Sequence, residues 1–593
     1  MRTLAVLLLA ATASRALPAL MPFGHACVPQ GGVRFCPTTS LVERVPMRDG
    51  VLIDVDVTLP PTGDGPFPTI VMLHGLGGDK TAFEAPTAAG TDNITFHFNN
   101  VFFAQRGYAV VNPSARGWGN SCGAPTSRTP DCVHGWIHLA DQRWEVRDAQ
   151  NLLGMLVDEG IADPEALAST GHSYGGGQSL EFAALRDQIR GGDGRLHPWR
   201  SPAGRRLRLA AAWARWPWID LAAALLPNGR FRDDRPSTLL STDFPIGVSK
   251  LTYTEVLLDL ARATAFLTMP NQDPTCDLET WSAELDKGEP YGILVHAVED
   301  ELHAFHGSVG LLRRRRPAPV LLMSGFTDDL FPASQSFRVR LALLRKHRPP
   351  VFQLGDLGHP RASNKLDEYA FLNEQGAEFF DAYLQKIGEP PAPGTVTVFT
   401  QTCPVTAPAG GPIFAARLED LARGTFSLGD PAPQTVTSDG GDPALARAVD
   451  PIFGNGICGR HPTRNAPGTA VYTAPSPGFT LIGQPTLKAR VRTKGPFGQI
   501  VGRLWDVGTD GLQTLIASGV YRLRPRQRNR IVFQLEGNAY QFAAGHTVRI
   551  ELVGSSPPTF RPSNGTFSVR VDQASIELPT MEGSPSGAFL DRS

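Results

Sequence analysis

The chain has 593 residues, 41% of them apolar, and a formal net charge of −1 with the two signs mixed along most of its length. That size predicts more than one domain with ample material for a large core. The balanced charge excludes an extended nucleic-acid surface. The basic runs at Arg313–Arg316 and Arg522–Arg530 are local, and the first reads as a charged helix end before Pro317.

The chain opens MRTLAVLLLAATASRALPA. One arginine, an apolar run from Leu4 to Ala11 and small residues before Ala13 or Ala16 form the three parts of a secretory signal, here placed at residues 1–16. No segment is long enough to span a bilayer permanently, so the expectation is a secreted or periplasmic protein without a membrane partner once the signal is removed. The seven cysteines fit an oxidising compartment. Six fall into pairs, Cys27 with Cys36, Cys122 with Cys132 and Cys403 with Cys458, although spacing alone does not fix connectivity; Cys276 is left over. Asn93-Ile-Thr and Asn564-Gly-Thr are glycosylation sequons if the compartment glycosylates.

Arg44–Pro60 alternates around an Asp49–Gly50 turn and reads as a hairpin. Thr69–Leu73 and Gly107–Asn112 are short continuous apolar runs, the pattern of buried parallel strands. Arg143–Glu159 has helical periodicity. Ala166–Gly171 leads as a strand into a glycine-rich turn at Ser173, and Gln178–Ile189 continues as a helix. Leu207–Ala212, Val320–Met323 and Val351–Leu354 are further strands, and Leu366–Ile387 is a closing amphipathic helix. The intervening segment 218–316 carries helical patterns at Tyr253–Thr268 and Leu278–Lys287 and an acidic stretch, His296–His306. Lying between two sheet strands, it is expected to form a lid. After the proline-rich linker Gly388–Gly394, short alternating runs punctuated by Gly, Pro, Asp and Asn predict a β-sandwich. The expected division is a catalytic domain at 37–388 and a sandwich at 395–580.

Three motifs carry chemistry. GHSYGG (Gly171–Gly176), GFTDDLFP (Gly325–Pro332) and LGHP (Leu357–Pro360) place Ser173, Asp328 and His359 in the nucleophile–acid–base order of α/β-hydrolases. A serine hydroxyl is a weak nucleophile without a base. His359 would take its proton, and Asp328 would hold the imidazole tautomer and stabilise the imidazolium. Asp329 is the rival acid; Asp328 is preferred because it begins the D-x-x-F-P pattern. Gly171, Gly175 and Gly176 permit the tight turn. The oxyanion needs two donors, assigned to the backbone N–H groups of Tyr174 and of Leu76, the latter in HGLGG (His74–Gly78). His74 and His172 are read as packing residues. His303 and His306 near Glu299, Asp300 and Glu301 have a generic spacing, read as a solvated helix face rather than a metal site. One of those three carboxylates is a candidate anchor for a substrate amino group. No metal or cofactor is expected.

HGLGG, RGYAVV (Arg106–Val111) with ARGWGNSCG (Ala115–Gly123), GHSYGG, GFTDDLFP and LGHPRA occur in the order seen in the Xaa-Pro dipeptidyl-peptidase and cocaine-esterase (CocE/NonD) superfamily of serine hydrolases, which the chain resembles. The tail segments Gly502–Gly511, Ser518–Leu523 and Ala539–Ser556 look like that superfamily's C-terminal jelly-roll domain. The resemblance implies an α/β fold, an α/β-hydrolase domain with a helical lid followed by an all-β jelly roll that helps to wall the site. It also implies cleavage of peptides or small esters through an acyl-serine. The chain departs in one place: some members supply an oxyanion-hole tyrosine from the loop after the first core strand, and His74–Lys80 contains none. The favoured activity is that of an Xaa-Pro dipeptidyl-peptidase. A carboxylesterase or amide hydrolase of small acyl compounds is the runner-up, and a non-catalytic carbohydrate-binding protein the third reading.

Overall fold

The computed structural model describes residues 20–230, 232, 246–344, 348–429 and 431–590. The leader expected at residues 1–16 lies outside them. A central sheet of eleven strands organises the first domain. In chain order these are β1 (Val28–Gln30), β2 (Val33–Cys36), β3 (Val55–Leu59), β4 (Phe67–Leu73), β5 (Ala109–Pro113), β6 (Ala162–His172), β7 (Leu209–Arg215), β8 (Val320–Gly325), β9 (Val351–Gly355), β10 (Val396–Thr400) and β11 (Gly410–Ala415). They lie in the order β1-β2-β3-β5-β4-β6-β7-β8-β9-β10-β11. The strands from β5 to β10 run parallel, and both edges turn antiparallel.

The continuous apolar runs follow from burial on both faces. In β4, Val71 and Leu73 join the core beneath α2 (Glu145–Asp158) and α3 (Tyr174–Leu185), while Ile70 and Met72 face the opposite core. β8 repeats this: Val320 and Leu322 lie on one side, Leu321 and Met323 on the other. The expected hairpin at Arg44–Pro60 is shorter than read. Val45–Pro46 pairs with Leu52–Ile53 across Asp49–Gly50, and Val55–Leu59 leaves it to become β3.

The insertion between β7 and β8 is helical: α4 (Leu221–Leu225), α5 (Leu251–Thr264), α6 (Leu278–Asp286), α7 (Ile293–Phe305) and α8 (Val309–Arg314). These helices stand over the carboxyl ends of the strands. Two sets of contacts stitch α5 in place. Near its start, Thr252 Oγ1 donates to Asp450 Oδ2 at 2.7 Å. Past its end, Phe266 N donates to the Gly117 carbonyl and the Phe266 carbonyl accepts from Ile137 N, both at 2.9 Å. Helices α1 (Asn100–Gln105), α9 (Ala333–Leu344) and α10 (Leu366–Phe380) complete the domain.

The sandwich starts later than position 395. β10 pairs in parallel with β9, and β11 pairs with β10, so residues 396–415 extend the catalytic sheet beyond the proline-rich linker. An alternating run reads alike in either sheet, so its partner is not legible locally. Beyond it, two antiparallel sheets of seven and five strands enclose a separate core that includes Leu487, Leu504, Phe533, Ile550 and Ile576. The sandwich touches the lid where Arg522 and Arg561 both pair with Glu289. Cys27–Cys36, Cys122–Cys132 and Cys403–Cys458 are disulfide-bonded, and Cys276 is a buried free thiol. Among the described residues no helix is long and apolar enough to cross a membrane.

Candidate active site

Ser173, Asp328 and His359 follow the carboxyl ends of β6, β8 and β9, the end of a parallel sheet where α/β proteins gather ligands. Ser173 has φ 54° and ψ −116°, a strained conformation for a residue with a Cβ that costs on the order of 1–3 kcal/mol. The surroundings impose it: Ser173 N donates to the Arg215 carbonyl at 3.1 Å, and Gly177 N donates to the Ser173 carbonyl at 2.9 Å. The glycines allow a close approach to the sheet. A Cβ on Gly171 would sit 2.2 Å from the Leu73 carbonyl oxygen, one on Gly175 1.8 Å from the same atom, and one on Gly176 2.2 Å from the Arg215 carbonyl oxygen.

His359 Nε2 lies 2.7 Å from Ser173 Oγ, and its Nδ1 lies 2.7 Å from Asp328 Oδ2. Asp328 is fully buried, and its other oxygen accepts from the backbone N–H groups of Leu330 and Phe331, both at 2.9 Å. The ring of Phe331 meets His359 edge-on at 5.1 Å. Asp329 points elsewhere, into an ion pair with Arg361. Of the two adjacent carboxylates, therefore, only Asp328 reaches the imidazole.

Leu76 and Tyr174 line the same pocket as Ser173. Tyr174 opens α3, where the first N–H groups have no intrahelical acceptor. His74 fixes the Leu76 loop: its Nε2 accepts from Ala115 N at 3.0 Å, so Nδ1 carries the proton and donates to the Gly75 carbonyl at 2.7 Å. Burial pulls its pKa down, keeping the ring neutral. His172 is likewise pushed down to about 3 by burial, helped by the Arg215 charge, and stacks on Trp216 at 5.3 Å. Both histidines pack, as their sequence positions suggested.

The pocket has a volume of about 1020 Å³ including its open mouth. Its walls are largely apolar, and the lid supplies many of them: Leu221 and Leu225 of α4, Leu257 and Ala261 of α5, Trp281 of α6, Leu302 of α7. Among the described residues that line it, Asp286 is the one carboxylate. Glu299, Asp300 and Glu301 are not brought to it. Glu299 lies 3.8 Å from His303, whose pKa burial alone would lower but which the hydrogen bond to Asp220 and the nearby Glu299 charge raise to about 10. Asp300 is exposed, and Glu301 pairs with Arg143. Asp141, Glu301 and His306 cluster closely enough for a cation, but the Arg143 guanidinium already bridges the two carboxylates.

Several supporting residues carried no local signal. Lys250, at the start of α5, donates to the carbonyls of Asp329 at 2.6 Å and Leu330 at 3.0 Å, bracing the acid loop from the lid. Glu145 accepts from the Tyr174 hydroxyl at 3.0 Å and from the backbone N–H of His138 at 2.6 Å and Asp141 at 3.0 Å. Each becomes recognisable only once segments distant in sequence are brought together.

The family described as X-Pro dipeptidyl-peptidase (S15 family) matches residues 49–189, and the X-Pro dipeptidyl-peptidase C-terminal non-catalytic domain matches residues 422–584. No curated protein matches the chain in sequence. Among solved structures, an aminopeptidase from the marine sediment archaeon Thaumarchaeota archaeon is 14% identical with a TM-score of 0.58, over 92% of this chain and 98% of that one. A CocE/NonD family hydrolase from Staphylococcus aureus is 13% identical with a TM-score of 0.55, over 92% and 94%. An alpha-amino acid ester hydrolase is 15% identical with a TM-score of 0.56, over 93% and 98%. These three share the two-domain fold. The two matched regions and that fold together make the chain a serine hydrolase of the α/β-hydrolase type, similar in those regions to the X-Pro dipeptidyl-peptidase (S15) family and in its fold to a CocE/NonD family hydrolase.

Proposed function

We propose that the protein hydrolyses esters or amides of apolar acyl groups through an acyl-Ser173 intermediate, in an exported location. His359 takes the Ser173 proton as Oγ attacks the carbonyl carbon and returns it to the leaving group. Water then repeats the sequence on the acyl-serine, regenerating the hydroxyl. The N–H groups of Leu76 and Tyr174 stabilise the oxyanion, a contribution of about a hundredfold or more in rate for each donor. The observation that carries this reading is the Ser173–His359–Asp328 hydrogen-bonded chain, whose serine opens into a pocket walled by leucines and tryptophan. Three disulfides support export.

A dipeptidyl-peptidase acting on X-Pro amides is the second reading, favoured by the family description over both matched regions. Such an enzyme must bind a free ammonium, and the three lid carboxylates put forward for that task are engaged elsewhere or face solvent. The deciding experiment compares nitrophenyl esters of increasing acyl length with a dipeptidyl-proline anilide. Faster turnover of apolar esters, together with loss of turnover and of fluorophosphonate labelling in Ser173→Ala, is the expected result. Preference for the anilide would establish the peptidase, and labelling that persists in Ser173→Ala would mean that another serine is the nucleophile.

A further inference from the structure

The unpaired Cys276 does not stand alone. Its sulfur, a ring nitrogen of His138 and a carboxylate oxygen of Asp273 all lie within 4.8 Å of one another. His138 is 0% exposed, and neither ring nitrogen has a hydrogen-bond partner. The nearest carboxylate oxygen, Asp273 Oδ2, is 3.7 Å from Nε2, beyond hydrogen-bond range. A buried imidazole with both nitrogens unmet is rare and costly unless something else engages it. The ring cannot turn away to solvent, because it stacks against Trp144 at 4.6 Å and Trp136 at 6.0 Å.

The other two donors are also held. Asp273 Oδ1 accepts from Thr275 N at 3.0 Å and Thr275 Oγ1 at 2.7 Å, and Oδ2 accepts from Trp136 Nε1 at 3.3 Å. Orienting partners of this kind are what outer-shell groups supply to ligands of a metal. Cys276 is buried and forms no disulfide, although six other cysteines of the chain do.

We propose that His138, Asp273 and Cys276 bind a divalent, borderline-soft metal ion of the zinc type. One sulfur, one nitrogen and one oxygen donor suit zinc, whereas magnesium and calcium require oxygen donors. With donors this close, an ion at their centre is at most about 0.5 Å outside bonding range of the sulfur and about 0.7 Å outside that of the nitrogen and oxygen, which small side-chain rotations recover. On binding, the Cys276 S–H bond breaks, a sulfur–metal bond forms and the proton leaves to solvent; the metal keeps its charge and nothing is oxidised. Because binding displaces the Cys276 proton, it weakens as pH falls.

The site joins two distant parts of the chain. His138 belongs to the loop before α2; Asp273 and Cys276 belong to the lid segment before α6. Leu139, next to His138, and Leu278, two residues past Cys276, both line the Ser173 pocket, so the ion would clamp the lid wall to the catalytic domain.

The test strips the full chain with a chelator and titrates it with Co²⁺ or Zn²⁺ alone. The expected result is one equivalent bound, with a thiolate-to-cobalt charge-transfer band and the visible bands of a tetrahedral site. Cys276→Ser should lose the charge-transfer band, and His138→Gln should weaken Zn²⁺ binding at least a hundredfold. Should either variant fail to fold, X-ray absorption of zinc-loaded wild type decides, by showing one sulfur among lighter ligands. Absence of stoichiometric uptake by stripped wild type, or a metal environment without sulfur, overturns the proposal.

Discussion

Replacing Asp328 by asparagine separates the two adjacent carboxylates by mechanism. All four groups around Asp328 present protons: Leu330 N and Phe331 N to Oδ1, and His359 N and Nδ1 to Oδ2. Asparagine has a single acceptor oxygen. With that oxygen facing the two backbone amides, its NH₂ group faces Nδ1, which must then accept. The imidazole proton moves to Nε2, opposite Ser173 Oγ, where it blocks proton transfer. A wrong tautomer of this kind lowers turnover about 10⁴-fold, equivalent to about 5.5 kcal/mol on the barrier. Asp329→Asn instead weakens the ion pair with the nearly buried Arg361, so it should cost a few kcal/mol of stability and much less in rate. The assay is steady-state hydrolysis of a nitrophenyl ester alongside thermal melting of both variants. An Asp328→Asn enzyme within tenfold of wild type, with Asp329→Asn inactive, would refute the assignment.

Gly175→Ala must displace the Ser173 turn, since its Cβ would lie 1.8 Å from the Leu73 carbonyl oxygen; it should lose over a hundredfold in ester turnover, while Gly310→Ala, whose Cβ meets nothing within 4 Å, should leave turnover unchanged. Burial pushes the Glu145 carboxyl from its ordinary 4.5 up to about 7 despite the backbone hydrogen bonds that pull it down. The folded state therefore holds that proton more tightly, and the associated stability, present below pH 4.5, is lost as pH rises towards 7 and beyond, by about 3 kcal/mol in all. Denaturant melts of wild type and Glu145→Gln across that window should converge or diverge accordingly, and a pH-independent difference would contradict this. Leu257→Ala enlarges the apolar pocket and should raise the ratio of kcat/KM for long over short acyl esters about tenfold; an unchanged ratio would place the acyl group elsewhere.

The three motif residues were legible because each sits just past a run of buried β-branched and aliphatic residues, and chain order then assigned their parts. The choice between Asp328 and Asp329 followed the pattern of the loop, and Arg361 supplies the physical reason for it: two positions beyond His359, it draws Asp329 away. Strand boundaries were harder. Gln178 was read as the start of a helix that begins at Tyr174, because Gly175, Gly176 and Gly177 discourage helix in isolation and are required here by the carbonyls and the Trp218 ring that crowd them. β10 and β11 read in sequence as part of the sandwich, because sheet partnership is a long-range property. Density of charge singles out the lid carboxylates in the sequence but says nothing about direction; Arg143 and His303 engage two of them, and none lines the Ser173 pocket.

The stitching of α5 at both ends bears on how substrates enter. One attachment is to Asp450, beyond the catalytic sheet, and the other to the backbone at Gly117 and Ile137. A cover sewn down on opposite sides cannot swing like a flap. Entry past α5 is then expected to be set by girth, as through a porthole, so that bulk near the scissile bond should slow a substrate more than leaving-group chemistry does.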